Sequence, residues 1–590
     1  MGTRHARIIK FNHIYFCACR TIKLEKFMDT AIRFFPFLRM FRFDSETIKA
    51  DLIAGLTVSL VAIPQALAYA QLAGVPAYYG LYAALIPTIV GALFGSSGQL
   101  STGPVAMTSL LTAASVAPLA AHGSEQFVAY VILLALLSGI FQVVFGALRM
   151  GVLLNFLSHP VLMGFINAAA IIIGLSQLPT LLGIPAQQSE HFLLDIWQVI
   201  SSIDMVHELS LGFGLSAIIL LVGFKKYAPK LPGVLITVSL LTWASYLSGY
   251  AKMGGKVVGN VPQGLPTFSM PLSDWHATVA LLPAAFVIAL ISFMEAMSSS
   301  KVIALKTRQP WDENKELIGQ GLAKIAAAFS HSMPVSGSFS RSALNLASNA
   351  KTGLSSIFAA LFVLLTLLFF TSLLYHLPKP VLAAIIMMAV IGLINFRVFT
   401  KAWRTNRDDG IASIVTFIAT LVFAPSIQNG ILTGIILSLA LLLYRMMRPT
   451  ITSLGIQQGS MLRDADRNNL PQIHPKLGAI RFDGALRFVN VSYFEEALLK
   501  LERDRPGISH ILVKCSGVND LDSSGVEMIF NLVERFKNMG ITLTFSGPKK
   551  QVLSVMNRSG LSKKIGEENI FATDREAIDR LYSQLGLTEA

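Results

Sequence analysis

Between residues 50 and 448 the chain is a nearly continuous series of apolar runs, and no other feature restricts its fold as strongly. They fall at roughly 52–72, 80–95, 103–118, 126–148, 158–180, 210–224 and 232–250. A second set follows at roughly 277–299, 318–333, 339–350, 354–376, 380–395, 410–424 and 427–446. With 53% hydrophobic and only 14% charged residues, such a chain cannot be an ordinary soluble protein. The expected fold class is a polytopic α-helical membrane protein of fourteen segments in two sets of seven. Several runs are too short to cross about 30 Å of hydrocarbon at about 1.5 Å per residue, so some segments must be interrupted.

Charge in the loops sets the orientation. The net charge of +14 invites a nucleic-acid partner, but the basic residues crowd into short loops beside the apolar runs, where the positive-inside rule accounts for them. A cytoplasmic N-terminus puts inside the residues up to Lys49, Arg149, Lys225, Lys226 and Lys230, Lys301 to Lys315, Lys351, Arg397 to Arg407, Arg445 and Arg448. Lys252, Lys256 and Lys379 stay outside. Fourteen crossings then leave both termini cytoplasmic, and seven crossings before the second set give the two halves opposite orientations, as alternating access requires.

The shortest runs are also the most polar. His331 to Asn345 reads H-S-M-P-V-S-G-S-F-S-R-S-A-L-N, hydroxyl-rich backbone that survives at membrane depth only where protein buries it or where it lines a cavity. Arg341 within it is costly and calls for an anionic partner. Ser101 to Ser109 can be laid on Val335 to Ala343, so that Gly103 meets Gly337, Thr102 meets Ser336 and Met107 meets Arg341. Ile63 to Ala66 likewise falls on Phe293 to Ala296, so that Gln65 meets Glu295. Two matches in one order indicate a duplicated half, although small-residue matches also serve helix packing.

Charges return after Arg448. Residues 449–475 read as a linker and 476–590 as a small α/β domain. Its strands are expected at Ala479–Phe482, Leu486–Val489, Ile508–Val518 and Ile541–Ser546, and its helices at Tyr493–Arg503, Ser523–Lys537, Lys550–Arg558 and Arg575–Leu585. The three cysteines, Cys17, Cys19 and Cys515, give no disulfide framework and no metal set. Residues 1–49 read as a cytoplasmic N-terminal region without a secretory signal. Met28 competes with Met1 as the start of translation.

These residues together resemble the sulfate permease (SulP) family of anion transporters, whose members join an inverted-repeat transmembrane domain to a cytoplasmic STAS domain. The resemblance covers about residues 30–586. It is carried by Asp51 to Val58, Ile63 to Ala70, Gly80 to Tyr82, Phe94 to Ser97, Gly103 to Ala106, Glu295 to Met297, Asn314 to Gly321, Gly337 to Arg341 and Asp522 to Gly525. It implies a core domain rocking against a gate domain, with repeats at about 50–250 and 277–447 and an anion held between the N-termini of the third and tenth segments. Carried over by position, the substrate site comprises Gln65, Tyr69, the backbone of Pro104, Val105 and Ala106, and Phe339, Ser340 and Arg341. A homodimer in the inner (plasma) membrane is expected by resemblance only, as is a protein partner for the STAS domain.

Several of these residues carry two readings. A carboxylate beside a bound dianion holds a proton more tightly, which makes Glu295 the candidate for proton coupling, whereas the structural alternative pairs it with Arg341 or a backbone donor. Importing a dianion against about 100 mV costs about 4.6 kcal/mol, which two co-transported protons would cancel. Related bicarbonate transporters carry an aspartate-and-threonine sodium site on the eighth segment, but here Glu295 precedes Ala296-Met297-Ser298, which favours protons over sodium. Arg341 is either an anion ligand or the counter-ion of Glu295. Pro64 and Pro104 are expected to interrupt helices. Ser523 and Ser524 are candidate phosphosites at a helix start, and Ser524-x-x-Glu527 also fits a capping box.

The favoured function is import of an inorganic oxyanion, sulfate before bicarbonate or a C4-dicarboxylate, by proton symport. Anion exchange, a passive channel and a membrane-tethered signalling protein are the alternatives. No nucleophile–base pair, metal cluster or phosphate loop supports an enzyme, and no cofactor is expected.

Overall fold

The structure, a computed structural model, describes residues 44–151, 158–185, 192–228, 231–271, 274–424, 426–457 and 461–586. Cys17, Cys19, Met28 and Lys230 lie outside the described residues. The chain divides into two compact units, Met1–Ser438 and Leu439–Ala590.

All fourteen apolar runs form helices. The first set is α1 (Ser45–Leu72), α2 (Ile86–Phe94), α3 (Ala106–Val116), α4 (Glu125–Ala147), α5 (His159–Ser176), α6 (Glu208–Tyr227) and α7 (Gly233–Ser248). The second is α8 (Trp275–Thr307), α9 (Glu313–Phe329), α10 (Phe339–Ala347), α11 (Leu354–Phe369), α12 (Lys379–Ile391), α13 (Arg407–Val422) and α14 (Ile427–Met447). Two three-residue strands, β1 (Ser101–Gly103) and β2 (Ser336–Ser338), immediately precede the short helices α3 and α10. Among the described residues, six helices are long and apolar enough to cross a membrane.

Local chemistry sets the helix ends. Asp44 caps α1 by accepting from the Thr47 N–H at 3.0 Å, and Asp274 caps α8 through the His276 N–H at 3.0 Å. Pro64 departs from expectation, because α1 runs through it without a break. One lost hydrogen bond is tolerable where neighbouring helices enclose the turn. Pro104 does mark an interruption, between β1 and α3, and Pro160 sits in the first turn of α5.

The duplication read from the sequence recurs in the packing. Helix α1 packs on α11 as α4 packs on α8, α10 on α1 as α3 on α8, and α5 on α13 as α6 on α12. Each pair becomes the other when the halves are exchanged, so α1–α4 with α8–α11 form one intertwined bundle. Helices α7 and α12 of the remaining bundle lie against α1. The antiparallel β1–β2 ladder sits on the same relation: Thr102 pairs with Gly337 and Gly103 with Ser336, which exchange under the alignment of Thr102 with Ser336 and Gly103 with Gly337. Because the strands are antiparallel, α3 and α10 leave the ladder in opposite directions.

Buried carboxylates bind the halves together. Asp51 accepts from the Lys351 N–H at 2.6 Å, the Thr352 N–H at 3.2 Å and the Thr352 hydroxyl at 2.6 Å. Glu316 accepts from the N–H groups of Ser96 and Ser97 at 2.8 and 3.0 Å.

The second unit is the expected α/β domain, with a fuller sheet. Strands β3 (Thr450–Gln457), β4 (Met461–Asp464), β5 (Leu477–Leu486), β6 (His510–Lys514), β8 (Thr542–Ser546) and β9 (Ile570–Phe571) line up as β4-β3-β5-β6-β8-β9, and β7 (Val518–Leu521) pairs with β5. The stretch read as a linker therefore supplies two strands, with β3 antiparallel to β5. Leu486 to Val489 is not a strand of its own. Leu486 ends β5, and the next residues turn where the Arg487 N–H donates to Asn490 Oδ1 at 3.0 Å. The run 508–518 is likewise broken by a 3-10 turn at Cys515–Gly517. Helices α15 (Val491–Asp504), α16 (Ser523–Asn538), α17 (Lys550–Arg558) and α18 (Asp574–Gln584) flank the sheet. Phe482, Phe494, Leu498, Leu532 and Phe536 are core residues of this domain.

Candidate functional site

Two helix N-termini start at the β1–β2 ladder. Val105 has no side-chain acceptor to cap α3, so the first N–H groups of that helix, at Ala106, Met107 and Thr108, lack intrahelical acceptors. Pro104, Val105 and Ala106 are buried. At α10, Ser338 Oγ accepts from the Arg341 N–H at 3.4 Å, while Phe339 and Ser340 are exposed. Each N-terminus carries roughly half a positive charge, so the ladder is electropositive on two sides.

Arg341 joins the halves. Only 3% exposed, it donates from Nη1 to the Pro104 carbonyl at 2.9 Å and from Nε to Ser101 Oγ at 3.4 Å. Its Nη2 is buried without a hydrogen-bond partner. Two glycines make room for this. A Cβ on Gly103 would lie 3.0 Å from Arg341 Nη2, and one on Gly337 would lie 2.9 Å from Cα and Cβ of Ala296. No direct ion pair links Arg341 to Glu295, so of its two readings the simple counter-ion finds no contact here.

Glu295 lies on α8 beside this crossing, and its Oε2 is buried without a hydrogen-bond partner. Arg341, Lys324 and Tyr69 are its charged or titratable neighbours. Tyr69, on α1, is 5% exposed. Gln65 lies one turn earlier on α1, its Oε1 also unpartnered, and it lines a cavity of about 260 Å³ with Leu221, Phe224, Lys225, Val234 and Ile385. That cavity is the boundary between the two helix bundles.

The structure thus brings Tyr69, Glu295 and Arg341 together with the start of α3, sets Gln65 at the bundle boundary and leaves Phe339 and Ser340 accessible at the start of α10. Unsatisfied donors and one unsatisfied carboxylate oxygen in a buried crossing can hold an anion together with a proton. Sequence reasoning missed Lys324, buried on α9, whose ammonium donates to Gln142 Oε1 at 2.7 Å and Ser292 Oγ at 2.6 Å. The available signal was a lysine inside an apolar run. In the second unit, Asp522 rather than Ser524 caps α16, accepting from the Gly525 N–H at 2.9 Å and the Phe488 N–H at 2.8 Å. This replaces the capping box, because an aspartate one position before the helix reaches the orphan N–H first. Ser523 is exposed and Ser524 half-buried.

The fold and site define a multi-pass membrane transporter built from two repeats. The Sulfate permease family profile matches residues 48–443 and the STAS domain profile matches 470–577. The chain is 35% identical over 582 residues to "Sulfate transporter 4.1, chloroplastic" of Arabidopsis thaliana, covering 95% of this chain and 84% of that protein. It is 32% identical over 571 residues to "High affinity sulfate transporter 2" of Stylosanthes hamata, covering 92% and 86%. The murine Solute Carrier 26 family member A9 anion transporter, solved in the inward-facing state, shares the fold with a TM-score of 0.86 at 21% identity, over 94% of this chain and 95% of that one. The chain belongs to the sulfate permease family; it is an anion transporter and not an enzyme.

Proposed function

We propose that the protein imports sulfate with protons by alternating access, the anion bound by the backbone around Pro104, Val105 and Ala106 at the start of α3 and by Ser340, Arg341, Gln65 and Tyr69, and the proton carried by Glu295. Phe339 shapes the accessible wall. The observation that carries this reading is the crossing itself, where an uncapped helix N-terminus, an unpartnered guanidinium nitrogen and an unpartnered carboxylate oxygen are brought together. Donors of this kind suit an oxyanion, and a carboxylate next to bound negative charge suits a proton. Sulfate is favoured because the named relatives are sulfate transporters.

In this reading residues 50–448 are the transporter domain, with α1–α4 and α8–α11 as the core and the other six helices as the gate. Both termini are cytoplasmic, the host membrane is the inner membrane, the assembly is a homodimer, and the STAS domain recruits a cytoplasmic protein. Ser523 or Ser524 is its candidate phosphorylation point.

The test is uptake of radiolabelled sulfate into proteoliposomes under an imposed pH gradient, comparing wild type with Glu295→Gln and competing with bicarbonate and succinate. Proton-driven accumulation that the variant loses supports the reading. Undiminished accumulation by Glu295→Gln removes the coupling role, and displacement of sulfate by bicarbonate or succinate reassigns the anion.

A further inference from the structure

Lys324 is 0% exposed, yet among the described residues no carboxylate lies within ion-pair distance of it. Its ammonium donates only to neutral oxygens, Gln142 Oε1 and Ser292 Oγ, and Gln142 is itself fixed by donating to the Ala289 carbonyl at 2.8 Å and Ser292 Oγ at 3.0 Å. A buried charge held by neutral groups alone is expensive, so a compensating negative charge is needed nearby. Ser292 and Glu295 lie on one face of α8, a single turn apart. The negative charge that acts on Lys324 is Glu295, whose Oε2 has no hydrogen-bond partner.

The surroundings leave few other candidates. Around Glu295 stand Lys324 from α9, Arg341 from α10 and Tyr69 from α1, while β2 and α3 contribute no titratable side chain. On α4, Glu125 and Tyr130 lie in the first two turns, where the Tyr130 hydroxyl donates to Asp274 at 2.9 Å. Glu316, two turns before Lys324 on α9, is engaged by Ser96, Ser97 and Gln320. Arg341 is anchored on the Pro104 carbonyl. Lys324 is consequently a second cation acting on Glu295 besides Arg341, and Ser336 Oγ, donating to the Ser292 carbonyl at 2.8 Å, ties that turn of α8 to β2.

We propose that Lys324 is a positioning residue for proton coupling, a cation whose charge favours the ionised form of Glu295 until an anion arrives at the Arg341 side. The assignment rests on the coupling role given to Glu295 above. A neighbouring cation favours the charged carboxylate, so removing it lets Glu295 hold its proton to higher pH.

The experiment is the pH profile of sulfate counterflow, which needs no proton gradient, in proteoliposomes for wild type, Lys324→Gln, Glu295→Gln and the double variant. Lys324→Gln should move the profile midpoint up by about one pH unit, and should move nothing further in the Glu295→Gln background. Gln142→Glu leaves the lysine in place and neutralises it with a carboxylate, so it should reproduce the upward shift even where Lys324→Gln does not fold. A lower rate at an unchanged midpoint in either variant overturns the proposal, because Lys324 then only supports packing. A shift that persists without Glu295 overturns it too, because the lysine then acts on another group. A wild-type profile for Glu295→Gln alone defeats the coupling role itself, and is distinguished because no Lys324 variant is needed to see it.

Discussion

Gly103 and Gly337 are equivalent by the internal duplication, yet their replacement by alanine should have unequal consequences. The new methyl of Gly337→Ala would meet Ala296 Cα and Cβ at 2.9 Å and Leu100 Cδ1 at 3.0 Å. Ordinary contact begins near 3.5 Å, so α8 or β2 must yield by about half an ångström. Neither is free to do so, since Gly337 is paired with Thr102 and α8 is enclosed by α3, α4, α9 and α10. Overpacking of this kind costs about 1–3 kcal/mol. The methyl of Gly103→Ala would instead meet the tip of Arg341, with Nη2 at 3.0 Å and Cζ at 3.7 Å, and a long side chain relieves the clash by turning off its rotamer at about 0.5–1.5 kcal/mol. Gly337→Ala should therefore lower the melting temperature of the purified protein more than Gly103→Ala. The functional order reverses relative to stability, because displacing the guanidinium weakens sulfate uptake by Gly103→Ala even where the protein stays folded. Heated size-exclusion profiles and proteoliposome uptake together decide this. Wild-type melting by Gly337→Ala, or full uptake by Gly103→Ala, would refute the account of how the crossing is packed.

Asp51→Ala strands two backbone N–H groups and the Thr352 hydroxyl, at about 1–3 kcal/mol for each buried group left unsatisfied. A sharp fall in the yield of folded protein on size exclusion is the expected result. In the second unit, Asp522→Ala removes two hydrogen bonds and should destabilise the domain by about 1 kcal/mol, whereas Ser524→Ala should be close to neutral. Denaturant titration of both variants separates them. The Cys515 thiol is pushed up to about 12, first by burial and then by the Asp574 charge. In a Cys17→Ser/Cys19→Ser background it should resist maleimide between pH 7 and 9 until the protein is unfolded.

The helices were legible because lipid leaves so little freedom: each apolar run had to become a helix, and only the end positions awaited their caps. The ladder was half legible. Its hydroxyls and glycines marked Ser101 to Gly103 and Ser336 to Ser338 as irregular backbone, but that the two stretches pair with each other depends on a contact across the halves that spacing does not encode. Lys324 lay hidden inside a run counted as apolar, since one lysine hardly changes the average over a helix. Pro64 misled because one missing hydrogen bond inside a long apolar helix need not end it. In the α/β domain, alternation found Ala479–Phe482 but could not see that the turn at Arg487 to Asn490 closes on an asparagine side chain. Nor could polar composition reveal that 450–453 pairs with β5 and 454–457 with β4.

The ladder between Gly103 and Ser336 also governs the order in which the protein can be made. The first strand leaves the ribosome more than two hundred residues before its partner, which at about 5–20 residues per second is roughly 10–50 s. During that interval Ser101 to Gly103 has no strand to bond with, and α1 and α4 lack the helices that will enclose them. A nascent first half is therefore an unfinished object inside the bilayer until the second half arrives to complete both at once.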